Sequence, residues 1–255
     1  MRSHTFVRSA LFVAALILVS GARPDVVRAQ ALPAAKDLMA RNDAAIGGRA
    51  AFDMHTSFHQ TGTMSVPAMG VEASLDLFKA KPLKFLQKIV LGPLGEVQSG
   101  YDGTTAWAIT PGQPPMVLDS AATEGARLQA DFYGNFHDMA RYKSVETVGL
   151  VDFEGAQCYK VKIVRTTGGE GFEFYDVATG LIAGIQAATE TPLGKIDQTS
   201  VFSDYKEFDG VKMPTKIRQK NAQYDAVITF TAIEWDKVDP AVFVLPDVLK
   251  AKVKP

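Results

Sequence analysis

The sequence predicts a mainly β fold: one large curved antiparallel sheet of about eleven strands, more than a flat sheet carries without curling, with an N-terminal helix and a central helical insertion. Three observations predict it. Residues 71–79 alternate with period two, Val71, Ala73, Leu75 and Leu77 against Glu72, Ser74 and Asp76, as in a half-buried antiparallel strand. Asp209-Gly210 and Asp102-Gly103 sit between strand-like runs, the signature of tight hairpins with positive φ. Residues 123–142 lose the alternation and gain Ala, Leu, Glu, Gln and Arg, which marks a helical segment between two sets of strands.

The elements follow in chain order. Residues 34–46 form a helix through Ala35, Leu38, Met39, Ala45 and Ile46, stopped by Gly47-Gly48, and residues 49–54 add a short turn. Strands are expected at 57–66, 71–79 and 85–91, then at 96–101 and 105–109 around the first Asp-Gly turn, with Trp107 and Ile109 on one face. In the insertion Ala126, Ala130, Tyr133 and Phe136 share a helical face, and Gly134 kinks or splits the helix. The second set runs through 144–151, 157–165, 172–175, 181–185, 202–208, 211–218 and 225–234. Pro214 marks a strand edge or bulge, because it cannot donate to a ladder. The basic tail is expected to fray.

Residues 1–29 read as a signal peptide. Arg2, His4 and Arg8 precede an apolar run at 10–19, shorter than the ~20 residues of a membrane span. Cleavage sites fit after Ala22 and after Ala29. The second is preferred, since Gln30-Ala31-Leu32-Pro33 leads directly into the helix. Residues 30–255 then make a single exported, periplasmic domain, with no later run able to anchor it in a membrane. Loss of residues 1–29 removes four Arg and one Asp and leaves a net charge near −4, which excludes a nucleic-acid partner. The single Cys158 lies in a strand as a buried small hydrophobe.

No catalytic motif is visible, and neither a cofactor nor a metal is expected. His55 and His59, four apart after Asp53, have no identifiable third ligand and read as surface or loop histidines. His137 has no visible partner. The carboxylates are scattered over predicted polar faces, so no acid/base pair stands out. What remains is the apolar face of a curled sheet, which either forms an ordinary core or encloses an apolar ligand.

The order of motifs carries a resemblance. A signal peptide leads to a helix ending in Gly-Gly, then to Gly-Tyr-Asp-Gly-x-x-Ala-Trp at 100–107. The helical insertion, Tyr-Asp-x-x-Thr-Gly-Leu at 175–181 and Ser-Asp-Tyr-x-x-x-Asp-Gly-Val-x-x-Pro at 203–214 follow. Over nearly all of the mature chain this resembles the outer-membrane lipoprotein-sorting proteins, the LolA/LolB-like superfamily. The resemblance implies an incomplete antiparallel barrel wrapped around helices, with an apolar concave face. It also implies a carrier whose partner is a lipid or the acyl chains of a lipoprotein. No position corresponds to the family's acyl-gating arginine. The expected cavity lining is Leu75, Leu77, Phe85, Ile89, Trp107, Val161, Phe172, Phe174, Ile228 and Phe230, with Phe132 and Phe136 on a helix that acts as lid or plug. Trp107→Asp or Phe174→Asp is expected to abolish uptake. The alternative is an envelope sensor or scaffold with a filled interior and a protein partner. An enzyme would require a buried polar cluster inside the sheet.

Overall fold

The computed structural model describes residues 31–191 and 194–252, so the signal-peptide reading of residues 1–29 lies outside the described residues. The first half of the chain runs α1 (Ala35–Ala45), α2 (Gly48–Asp53), β1 (Ser57–Val66), β2 (Val71–Ala80), β3 (Lys84–Val90), β4 (Glu96–Tyr101), β5 (Ala106–Ile109), β6 (Met116–Val117) and α3 (Ser120–Ala130). The second runs β7 (Tyr142–Phe153), β8 (Ala156–Arg165), β9 (Glu170–Asp176), β10 (Ile182–Thr191), β11 (Gly194–Phe208), β12 (Val211–Lys220), β13 (Asp225–Trp235) and α4 (Asp247–Lys250).

Each half is an antiparallel meander. Pairing of β1 with β13 joins them into one 13-stranded sheet with β6 and β7 at its two ends. Among the described residues no ladder closes β6 on β7, so the barrel is incomplete. The count exceeds the expected eleven in part because β6, two residues long, is too short to display a period. Curvature comes from register shifts at Thr61/Gly62, Tyr142/Ser144, Thr147/Gly149 and Ile182/Gly184, each adding a residue to one strand and bending it. β12 pairs with β13 only from Lys216 to Lys220. Pro214 lies just beyond that ladder, where its missing N–H costs nothing.

The turns explain the sequence motifs. Asp209 and Gly210 have φ of 53° and 79°, the two left-handed residues of a two-residue hairpin between Phe208 and Val211. Asp102-Gly103 differs from expectation: Asp102 is not left-handed, and four residues separate Tyr101 from its partner Ala106. The Asp102 carboxylate builds that loop by accepting from the N–H groups of Thr104 and Thr105 at 2.8 and 2.7 Å. The Gly-Gly after α1 has a second reason besides ending the helix. A Cβ at Gly47 would fall 2.2 Å from the carbonyl oxygen of Gly210, so the α1–α2 elbow rests on the β11–β12 turn.

Three inner clusters fill the concave face. α1 lays Ala35, Leu38 and Met39 on Val161, Ile163 and Tyr175. α2 puts Phe52 beside Phe58, Phe132, Val211 and Met213, and α3 sets Ala130 against Phe85, Tyr101 and Ala106. Two further clusters cover the outer face: Leu86 and Trp107 under Phe243 and Leu249, and Phe153, Cys158 and Phe174. The C-terminal segment is therefore not frayed as far as Lys250, because Leu249 is fully buried against β3 and β5. Cys158 is likewise buried, and that burial pushes its thiol up to about 11.

The joint between the two halves is fastened at Asp236, just past β13. Its carboxylate accepts from the N–H and hydroxyl of Thr56 at 2.6 and 2.8 Å, and lies 2.8 Å from His55 Nδ1. Burial raises the Asp236 carboxyl, but these donors outweigh it and hold it at about 2. Asp236→Ala is expected to cost about 2 kcal/mol in urea denaturation, since it frees several donors at once and leaves alanine at φ 60°.

Candidate functional site

A cavity of about 300 Å³ opens on the concave face, between the sheet and residues 134–142. Its wall is apolar. Phe58 and Leu77 come from β1 and β2, Ile185 and Phe202 from β10 and β11, Met213 from β12 and Phe230 from β13. Phe136 comes from the segment above. β12 has no β13 partner before Lys216, and Met213 and Pro214 of that stretch border this space, with Ile217 just inside the ladder.

The structure brings Leu77, Phe136 and Phe230 together in this lining. Leu75, Ile89 and Ile228 share the inner face without lining the cavity: Leu75 pairs with Ile89, and Ile228 pairs with the lining residue Ile217. Phe85 and Val161 are taken up by the helices, under α3 and α1 respectively. Phe132 is buried among Phe52 and Phe58. Trp107, Phe172 and Phe174 stand on the outer face, so Trp107→Asp and Phe174→Asp do not probe the cavity. The lid is a correction too. α3 ends at Ala130, where Asp131 takes ψ 115°, and Phe132 and Phe136 lie in turns beyond it instead of on a shared helical face.

A buried polar cluster, not legible in the sequence, borders the cavity. His137 Nδ1 lies 2.6 Å from Asp43 Oδ1, and its main-chain N–H donates to Oδ2 at 3.2 Å. His137 Nε2 lies 3.0 Å from the Tyr175 hydroxyl, which donates to Glu173 at 2.5 Å. Burial alone would lower the imidazole, but the bonds to Asp43 and Glu173 prevail and raise it to about 9. His137 is thus an imidazolium at neutral pH, donating through both nitrogens. Burial, with Glu173 beside it, drives Tyr175 far above the ordinary phenol range. All four groups are spent on one another. Together they form a cross-link tying residues 134–142 to α1 and β9. His55 and His59 are spent separately, on Asp236 and on Asp76 at 2.7 Å. No group of three or more metal-type ligands gathers among the described residues.

Neither a family model nor a curated protein matches the sequence. Solved structures do match the fold. A DUF1329 family protein from Desulfovibrio piger superposes with a TM-score of 0.55 at 13% identity, covering 82% of this chain and 95% of that one. A LolA superfamily protein from Nitrosomonas europaea gives 0.54 at 11%, covering 84% and 99%. A domain from Vibrio parahaemolyticus described as an outer membrane lipoprotein-sorting protein gives 0.55 at 12%, covering 82% and 94%. The chain therefore has the LolA-like fold: an unclosed antiparallel barrel around helices. Among the described residues no helix is long and apolar enough to cross a membrane.

Proposed function

We propose that this chain is a periplasmic carrier that holds the acyl chain of a lipid or lipoprotein in the concave cavity. The carrying observation is the cavity itself, about 300 Å³ with a largely apolar wall drawn from β1, β2 and β10–β13, in a sheet left unclosed. That volume falls at the small end of the ~300–1,000 Å³ of ligand pockets and suits one chain. The LolA-like fold is consistent with this use, and the apolar run at 10–19 supports export.

The test is native mass spectrometry of protein purified from a periplasmic fraction, followed by uptake of a fluorescent acyl probe. Phe230→Asp places a carboxylate in the wall, and Ile185→Trp fills the space; each is expected to weaken uptake about tenfold or more, at least ~1.4 kcal/mol. A folded Phe230→Asp or Ile185→Trp protein that binds the probe like wild type overturns the reading. A clean apo mass with no uptake by wild type turns the search to a protein partner recovered by crosslinking.

A further inference from the structure

The position that least suits a plain hydrophobic wall is Lys79. In β2 the inner-facing residues run Ala73, Leu75, Leu77 and then Lys79, so the period places a lysine where a core residue belongs. Its register partners on either side are Phe58 and Phe85, both buried. The ammonium reaches one protein acceptor, the main-chain oxygen of Asp131 at 3.4 Å. Among the described residues no carboxylate oxygen lies within 4.0 Å of it. The Asp131 carboxylate is already engaged, by Arg141 and by the N–H of Tyr133. Burial draws Lys79 down to about 8 while Asp131 opposes the shift, so it is still mainly protonated near neutrality.

Other cations line the same cavity. Arg141 stands across Asp131 from Lys79, and Arg165 lies 5.7 Å from the ring centroid of Tyr142. Lys212 and Arg165 make no ion pair among the described residues, although both line the space. The one carboxylate in the lining, Glu173, is held by Tyr175 and His137. A largely apolar wall that carries more cations than carboxylates matches an apolar chain that ends in negative charge.

We infer that the ligand is a single-chain amphiphile with an anionic head group, carboxylate or phosphate, whose charge is met by Lys79 with Arg141 and Arg165. This rests on the carrier reading. Four probes of one chain length separate the possibilities in competition against the fluorescent probe: dodecanoate, dodecyl phosphate, dodecanol and dodecyltrimethylammonium. The anions are expected to bind about tenfold tighter than dodecanol, and the cation weakest. Preference for dodecanoate over dodecyl phosphate points to a fatty carboxylate, and the reverse to a phospholipid-type head group. Lys79→Met keeps the stem, removes an awkwardly buried charge and so folds; it is expected to erase most of the preference for the anions over dodecanol. Equal binding of dodecanol and the anions by wild type overturns the inference, as does an undiminished preference in Lys79→Met. In either case the carrier reading stands. Failure of all four probes to bind wild type overturns both.

Discussion

His137→Leu loses about 3–5 kcal/mol of stability, because it strands the carboxylates of Asp43 and Glu173, the latter only 3% exposed, without their shared cation. The wild-type protein carries the matching pH dependence. His137 has its folded pKa raised, from the ordinary 6.5 to about 9. Its contribution is therefore complete below pH 6.5 and fades as pH rises through 9. Lys79, lowered to about 8, acts in the opposite sense only above pH 8, as its folded form sheds a charge that the unfolded chain retains up to 10.5. The interval from 6.5 to 8 thus reports on His137, and stability should fall there by about 1.5 kcal/mol. Urea unfolding at several pH values checks both statements. A flat wild-type profile, or an equally steep one in His137→Leu, would falsify the cross-link.

Gly100→Ala should cost about 3 kcal/mol, large for adding one methyl group, because Trp107 occupies the space a Cβ needs. An added Cβ would lie 2.3 Å from Cζ2 and 2.5 Å from Cε2 of the indole. The ring has no room to retreat: it is 1% exposed, pinned between β4 and the C-terminal Phe243 and Leu249. In a Trp107→Ala background the same change should be nearly silent. The double-mutant cycle isolates this term, and additive costs would show that glycine is needed at position 100 for another reason. The Gly-x-x-x-x-x-x-Trp spacing of the 100–107 motif is thereby given a packing role on the outer wall, away from the cavity.

The sequence by itself determined the class of fold. Period-two alternation in residues 71–79 and 157–165 is a local property, as is the Asp209-Gly210 turn, and both stand in the structure where the residues place them. The helix before Gly47 is local for the same reason. What only the tertiary structure decided is which face of each strand looks inward. Phe172 and Phe174 alternate with Glu173 and Tyr175, and hydrophobicity alone turns the phenylalanines to the cavity. The register sets the opposite phase: Val161 pairs with Glu173 and Tyr159 with Tyr175, so the inner face of β8 carries Glu173 and Tyr175 inward with it. The burial of Glu173 is tolerable only because His137, 36 positions earlier, arrives from a segment whose helix has already ended. The phenylalanines go outward, where Phe153 stacks on Phe174 at 4.0 Å. Trp107 goes outward because Ala106 is the side chain small enough to lie under α3. A strand's period belongs to its own residues. Its phase depends on partners far along the chain, which is why the fold was legible and the cavity, with its cross-link and its lysine, was not.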